Sequence, residues 1–147
     1  MADDTNRIHV RLVTPERILF EQTADSVDLP SKSGYFEVLY GHAPLVAELG
    51  AGDVIVHGGG ANGDEGITGE SRYNVSWGFV EVLPERVTIL AKDALKPSEI
   101  DVPRAEQQLD RGLNLWNNAG ESEEAYTEAL RVISEAEAKI ASADQKD

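Results

Sequence analysis

The sequence predicts a β-sandwich N-terminal domain followed by a C-terminal antiparallel αα-hairpin, and three observations support this fold class. Short segments with strand-like alternation fill the first two thirds of the 147-residue chain. Proline and glycine, which favour turns, stand between these segments. From Lys96 onward the apolar residues instead recur at the three- and four-residue steps of amphipathic helices. We therefore predict a sandwich domain at residues 1–96 and a helical hairpin at residues 97–147.

The first strand is the clearest of the series. In the segment RIHVRLV, the apolar residues Ile8, Val10 and Leu12 alternate with polar ones, which is the period of a half-buried strand. A proline-containing turn at residues 14–17 ends it. We predict the next strands in the segments ILFEQ, DSVDLP, GYFEVLY, LVAEL and DVIVH.

The last predicted strands follow a glycine-rich segment. Residues 58–70 are typical of a mobile hairpin loop. The next segment, RYNVSWGFVEVL, places Tyr73, Val75 and Trp77 on one face. Gly78 within it permits a bulge or a bend. A turn at residues 84–86 then leads into the final segment, VTILAK.

Two amphipathic helices are predicted after Lys96. Pro103 is acceptable in the first turn of the first helix, where its missing N–H is not needed. Ser122 is placed to cap the second helix. The apolar stripe of the first helix contains Ala105, Leu109, Leu113 and Trp116. That of the second contains Tyr126, Leu130, Ile133 and Ile140, widened by Ala125, Ala129, Val132 and Ala136. The alanines favour a close approach of the two helices.

Charge and composition argue against several classes of function. The chain has 13 basic and 27 acidic residues, a net charge of −14, and such a chain repels phosphate backbones. We therefore expect no nucleic-acid partner. Cysteine is absent, which excludes disulfides and thiolate chemistry. No apolar run approaches the length of a bilayer span, and the acidic start MADDTNR does not resemble a signal peptide, so we expect a soluble, intracellular protein.

The Gly-His-Ala-Pro motif at residues 41–44 is the most site-like pattern in the chain. A zinc site needs three or four convergent ligands, and His9 and His57 lie in strand patterns without metal-ligand spacing. General acid–base catalysis would need a partner group, which no spacing supplies. The glycine and proline of the motif are typical of a turn. We interpret His42 as a structural or contact residue, and we expect neither catalytic residues nor metal ligands.

Four segments, taken in order, resemble the epsilon subunit of the bacterial F-type ATP synthase, whose mitochondrial homologue is called delta. The segments are LVTPERILFE, GHAPLVAELGAGDV, GFVEVLPERVTILAKDA and IDVPRA. The second segment is preceded by Leu29-Pro30 and Gly34, which also match. The resemblance extends from about Ile8 to Ile140. It implies the same sandwich and hairpin that the periodicity predicts.

The resemblance also implies a rotor function. In this family the epsilon subunit is a non-catalytic central-stalk subunit of a proton-translocating enzyme. Its sandwich binds the gamma subunit and touches the polar loops of the c ring. The start at Met1, without an arginine-rich presequence, favours the bacterial form. This implies a peripheral position on the cytoplasmic face of the bacterial inner membrane.

The contact surface implied by the resemblance lies at one end of the sandwich. It comprises a loop and a turn, with members Ser31, Lys32, Ser33, Gly34, Tyr35, Tyr40, Gly41, His42 and Pro44. The loop matches the family loop that meets the c ring, and an ordinary hairpin tip is the alternative interpretation. Tyr35 stands where some family members carry a carboxylate.

A regulatory nucleotide site is implied by the segment IDVPRA, which matches the pattern that binds ATP in some epsilon subunits. Arg104 and Arg111 are two helical turns apart and therefore lie on the same side of the helix. The planar guanidinium group of arginine can bind phosphate oxygens through two hydrogen bonds. Arg131 would converge on them if the hairpin is folded. Asp101 either contacts the adenine edge or simply caps the helix.

The acidic background of the hairpin opposes a polyphosphate. Twelve acidic residues lie between Glu99 and Asp147, against five basic ones. We expect no cofactor, with ATP at most a weak regulatory ligand. The alternative function is a stand-alone ATP-sensing module that uses the hairpin as a switch. A small sandwich enzyme or carbohydrate binder is the third and weakest hypothesis.

The hairpin of the family also brakes ATP hydrolysis when it extends along gamma and reaches the alpha and beta subunits. It does so by laying basic side chains against an acidic segment of beta. In this chain the second predicted helix has five glutamates against Arg131 and Lys139. Because like charges repel, we expect this hairpin to be a weak brake. The alternatives are a steric block, which needs no charge complementarity, and a different regulator that has taken over the role.

Overall fold

The structure is a computed structural model that describes residues 7–58 and 69–144. Within these ranges the chain forms strands β1–β8, a short 3-10 helix at Pro97–Glu99, and two α-helices. The strands are β1 Ile8–Val13, β2 Ile18–Ala24, β3 Ser26–Ser31, β4 Gly34–Leu39, β5 Leu45–Leu49, β6 Gly52–His57, β7 Glu70–Leu83 and β8 Arg86–Leu95. The helices are α1 Val102–Asn117 and α2 Glu123–Ala143. The predicted fold class is confirmed, whereas most of the predicted loop at residues 58–70 lies outside the described residues.

The chain divides into two compact units, Met1–Ala94 and Leu95–Asp147. In the first unit the strands follow the order β2-β1-β8-β7-β5-β3-β4, and β6 pairs with both β3 and β7. β1 lies antiparallel to β2 and parallel to β8. β7 pairs with β6 over its first half and with β5 over its second half. The long strand β7 therefore joins the two groups of strands that make the sandwich.

β7 changes conformation between its two halves. The φ angles of Trp77 and Gly78 are 50° and 146°, outside the range of a regular strand. Val75 is buried before this point, and Val80 and Val82 are buried after it, so the inward-facing set changes from odd to even residues. The predicted bulge or bend at Gly78 is confirmed. The alternation that placed Trp77 with Val75 ends at this bend.

The core of the first unit is made by alternating strand residues. On β1 the predicted inward residues Ile8, Val10 and Leu12 are buried, while His9 and Arg11 remain partly exposed. The other buried apolar side chains are Phe20, Ala24, Val27, Leu29, Val38, Leu49, Val54, Val56, Val75, Val80, Val82, Val87, Ile89 and Ala91. Burial of each larger member stabilises the unit by roughly 1.5–3 kcal/mol.

The helices of the second unit pack along small residues. Gly112 on α1 is buried, as are Ala129 and Ala136 on α2. A Cβ on Gly112 would lie 2.7 Å from Cγ1 of Ile133, so the helices approach closely at this point. The close approach predicted from the alanines is confirmed. None of the helices in the described residues is long and apolar enough to cross a membrane.

The apolar stripes predicted for the helices coincide only in part with this packing seam. Leu113, Trp116 and Leu130 are 45%, 40% and 50% exposed. The ring centroids of Trp116 and Tyr126 lie 4.5 Å apart in an edge-to-face contact. The two predicted stripes therefore meet at Trp116 and Tyr126, but the most closely packed part of the seam is at Gly112 and the alanines, and Leu113 and Leu130 remain exposed.

Both helices begin at side-chain caps. Asp101 accepts the Arg104 N–H at 3.2 Å, and Ser122 accepts the Ala125 N–H at 3.1 Å. The prediction of Ser122 as a cap is confirmed. Asp101 thus has the capping contact that the sequence allowed, which satisfies one of the N–H groups left open at a helix start.

Candidate functional site

The tip of the β3–β4 hairpin is the predicted contact loop. Ser31 pairs with Gly34 across the turn. The Ser31 hydroxyl donates to the Gly34 carbonyl at 2.6 Å and accepts the Ser33 N–H at 3.1 Å. Gly34 has a φ of 125°, a value that favours glycine. These bonds give the tip, residues 31–34, a defined backbone conformation.

Lys32 carries the charge of this tip, and it faces β5. Its N–H donates to the Glu48 carbonyl at 3.1 Å, and its Nζ lies 3.3 Å from the Glu48 carboxylate. The same Nζ is 6.0 Å from the centre of the Trp77 ring. Both charged side chains are more than half exposed, so the ion pair stabilises the fold little. It does reduce the net charge that the tip presents.

Tyr35 follows the tip and reaches across to β6. Its hydroxyl accepts the Asp53 N–H at 2.8 Å. The Asp53 carboxylate in turn accepts hydrogen bonds from Arg72 at 3.0 Å and Asn74 at 3.2 Å. Burial raises the pKa of the Tyr35 phenol above its ordinary value, and the hydrogen bond from Asp53 opposes this rise. We call Tyr35, Asp53, Arg72 and Asn74 the Asp53 cluster.

Sequence reasoning did not identify the Asp53 cluster. Asp53 is 7% exposed and Asn74 is 2% exposed, and such buried polar groups need partners. The available signal was the presence of Asp53, Arg72 and Asn74 inside segments read as half-buried strands. Their pairing depends on the register between β6 and β7, in which Asp53 lies opposite Asn74.

The turn that contains the Gly-His-Ala-Pro motif lies beside the β7–β8 turn. The Gly41 N–H donates to the Pro84 carbonyl at 2.7 Å, and the His42 N–H donates to the Leu39 carbonyl at 3.1 Å. Nδ1 of His42 is 2.7 Å from the carbonyl oxygen of Ala43. In the described part of the chain no group of three or more His, Asp or Glu side chains could hold a metal ion. The contacts seen for His42 are those of a turn residue.

Apolar side chains form an exposed row across the outside of three neighbouring strands. Val46 on β5 is 68% exposed, Phe79 on β7 is 53% exposed and Leu90 on β8 is 50% exposed. Glu81 lies opposite Val46, and Glu48 lies opposite Phe79, so carboxylates border the row. We call Val46, Phe79 and Leu90 the outer apolar row. Exposed apolar residues also flank the neighbouring turn, at Leu39, Tyr40 and Leu45.

The candidate nucleotide residues lie on the helices of the second unit. Asp101, Arg104 and Arg111 belong to the cap and body of α1, and Arg131 belongs to α2. All four are exposed. Since Asp101 caps α1 through the Arg104 N–H, its role at the start of the helix does not require a nucleotide.

Residues 7–97 match the family described as ATP synthase, Delta/Epsilon chain, beta-sandwich domain. The chain belongs to the ATP synthase delta/epsilon family. The resemblance inferred from the four sequence segments is thereby confirmed. Delta/epsilon chains are subunits of ATP synthase, and the matched range contains the whole described sandwich together with its hairpin tip and outer apolar row.

Curated relatives within the delta/epsilon family extend the similarity beyond the sandwich. The ATP synthase epsilon chain of Solibacter usitatus is 35% identical over 95% of this chain and 97% of its own length. That of Koribacter versatilis is 38% identical over 74% of this chain and 71% of its own length. A similar fold occurs in the mitochondrial ATP synthase structure (OSCP/F1/c-ring) of Euglena gracilis, with a TM-score of 0.74 and 20% identity. That match covers 95% of this chain and 83% of the other.

Proposed function

We propose that this chain is the non-catalytic central-stalk subunit of a proton-translocating F-type ATP synthase, where it links the gamma subunit to the c ring. Its membership of the delta/epsilon family and its similarity to epsilon chains over nearly the whole length support this function. The related fold in an F1/c-ring assembly is consistent with it. In this proposal the chain is peripheral to the cytoplasmic face of the bacterial inner membrane.

The outer apolar row is the observation that carries the proposal. Three large side chains that are half or more exposed lie on three adjacent strands, with Val46 diagonal to Phe79, in a chain whose net charge is −14. Contiguous exposed apolar surface of this kind marks interaction sites more often than free surface. We propose that gamma covers this row, with Phe79 at its centre.

The hairpin tip and the neighbouring turn provide the proposed contact with the c ring and the adjoining part of gamma. The surface comprises Ser31, Lys32, Ser33, Gly34, Tyr35, Tyr40, Gly41, His42 and Pro44. The tip offers polar backbone and hydroxyl groups, which suit the polar loops of the ring. The turn offers exposed apolar side chains next to His42.

Co-purification with gamma tests the proposed function directly. The full chain and a tagged gamma subunit, expressed together without added nucleotide, should form a stable complex. A stand-alone ATP sensor should instead remain separate from gamma and become more compact when ATP is added. Failure to recover the chain with gamma, or with an assembled complex that contains gamma, would rule out the rotor proposal.

For nucleotide, we propose at most weak ATP binding, with Asp101, Arg104, Arg111 and Arg131 as the residues that would line the site. Arg104→Ala should then lower the affinity by about 1.5–3 kcal/mol, because a charge-assisted hydrogen bond to phosphate is lost. Calorimetric titration of the full chain with millimolar ATP measures this effect. Arg17→Ala, which changes an exposed arginine of the other unit, is the matched control. A titration of the unmodified chain without heat and without compaction would remove the sensor function.

We propose that the hairpin is a weak electrostatic brake on ATP hydrolysis. α2 exposes Glu123, Glu124, Glu128 and Glu137, which would repel an acidic segment of a beta subunit. Truncation after Leu95 should therefore raise hydrolysis by the assembled complex less than about threefold. A rise of roughly tenfold, about 1.4 kcal/mol of relief, would contradict the charge argument. As a matched variant, Glu124→Lys with Glu128→Lys in the full chain should strengthen the inhibition.

A further inference from the structure

We infer that Tyr35 is a positioning residue, which fixes the orientation of the hairpin tip through the bond between its hydroxyl and the Asp53 backbone. Tyr35 as a residue remains 58% exposed, while its hydroxyl accepts a partly buried hydrogen bond from the Asp53 N–H. The importance of the tip for a partner rests on the proposed function. The positioning role is a property of the chain itself and can be tested without a partner.

The position of Tyr35 in the sheet makes this role possible. Tyr35 pairs with Pro30 immediately beside the four tip residues. Its side chain extends toward the start of β6, where a Cβ on Gly52 would lie 2.5 Å from the hydroxyl oxygen and 2.8 Å from Cβ of Pro30. Only a residue without a side chain leaves this space open. Gly52 therefore provides the room that the phenol occupies.

The far end of the hydroxyl bond is firmly held. Asp53, whose N–H is the donor, is nearly buried, and its carboxylate binds both Arg72 and Asn74. Asn74 also donates to the Gly52 carbonyl at 3.4 Å. Removal of one member of such a buried polar network leaves the others without a partner, which is costly. The Asp53 cluster thus gives Tyr35 a fixed point on β6 and β7.

A second set of contacts holds the opposite side of the tip. The Lys32 N–H bonds the Glu48 carbonyl at 3.1 Å, and the Gly50 N–H bonds the Pro30 carbonyl at 2.8 Å. With both sides held, the tip has one orientation. With the Tyr35 bond removed, the tip keeps its pairing within the β3–β4 hairpin and its contacts to β5, and we expect it to be less restrained on the side of β6. An ordered tip loses less conformational entropy when a partner binds.

A neutral hydroxyl suits this position better than an acid. The pKa of the Tyr35 phenol is raised chiefly by burial, the charges of Asp53 and Asp28 act in the same direction, and Arg72 acts against them. A glutamate at this position would place a carboxylate in partly buried surroundings near the carboxylates of Asp53 and Asp28. Tyr35→Glu should therefore release the tip more completely than Tyr35→Phe does.

Hydrogen exchange followed by NMR on the full chain tests the inference. In Tyr35→Phe the Asp53 N–H loses its acceptor, so its exchange should accelerate about tenfold, and that of the Lys32 N–H by about threefold. Amides of β1 and β8 should not change. Tyr126→Phe, which removes a hydroxyl from the other unit, is the matched control and should change neither rate. Unaltered rates at Asp53 and Lys32 in Tyr35→Phe would overturn the positioning role.

A double substitution provides a readout that general destabilisation would not reproduce. Gly52→Ala alone should accelerate exchange at Lys32, because the new methyl displaces the Tyr35 hydroxyl and also presses on Pro30. In the Tyr35→Phe background that hydroxyl is absent, so the added effect of Gly52→Ala should be smaller. Strictly additive effects would show that the two residues act independently and would contradict the inference.

Binding of the assembled central stalk to purified c ring separates this inference from the proposed function. If Tyr35→Phe accelerates exchange at the tip and also weakens ring binding about tenfold, the positioning role and the proposed ring contact are both supported. If the tip loosens while ring binding is unchanged, the positioning role stands and the proposed ring contact is wrong. If ring binding weakens while exchange at the tip is unchanged, the positioning role is wrong.

Discussion

Gly78→Ala should destabilise the sandwich by about 4 kcal/mol, as the sum of backbone strain and displacement of a neighbouring strand. The φ of Gly78 is 146°, a value that residues with a side chain rarely adopt. A Cβ at this position would collide with the Leu90 carbonyl oxygen and would lie 3.1 Å from Cα of Ala91. Because these atoms are backbone, they can move only if β8 shifts away from β7.

Urea denaturation of the full chain measures this loss as a lower free energy of unfolding. Gly120→Ala is the matched control. Gly120 has a φ of 63°, but a Cβ added at this position would have no atom within 4 Å. Its cost should be about 1 kcal/mol, the penalty of a left-handed conformation alone. Equal losses for the two variants would show that the close approach at Gly78 is not what matters.

Phe79→Glu should weaken the binding of gamma by about 4 kcal/mol, or roughly 1000-fold. The substitution removes a large apolar side chain from the centre of the outer apolar row. It also requires burial of a carboxylate beside Glu48, which lies opposite in the strand pairing. Because Phe79 is 53% exposed, the fold of the free chain should lose little stability. The dissociation constant of purified wild-type and variant chains for gamma is the quantity to measure.

Ile18→Glu is the matched control for this experiment. Ile18 is 47% exposed on β2, an edge strand that lies at the end of the strand order away from β5. The same change in size and charge there should alter gamma binding less than about threefold. A Phe79→Glu variant that binds gamma as tightly as the wild type would place the gamma contact elsewhere on the sandwich.

Much of the fold was accessible from the sequence because it depends on local patterns. The alternation on β1, the turns at proline and glycine, the bend at Gly78 and the Ser122 cap all follow from preferences of a few neighbouring residues. Short-range preferences of this kind act before any tertiary contact is specified. The four family segments added the sandwich and hairpin order independently, and the two lines of reasoning agree.

What the sequence did not predict depends on relations between distant segments. The Asp53 cluster needs the register of β6 against β7 and the reach of Tyr35 from β4, neither of which periodicity specifies. The hairpin seam depends on how closely two helices fit, and Gly112 permits an approach that a count of apolar residues cannot detect. In the helices the large apolar side chains give the stronger sequence pattern, whereas the small residues determine how closely α1 and α2 pack.

The parallel pairing of β1 with β8 has a consequence for synthesis of the chain. β1 is made before the other described strands of the sandwich, yet its partners on one side, from Arg86 to Leu90, are among the last residues of the sandwich to be made. Until then, β1 has only β2 to pair with, and one of its edges stays open. Such long-range pairing makes folding slow, and a nascent chain with an unpaired edge is prone to aggregation. The sandwich can therefore close only after β8 has been made.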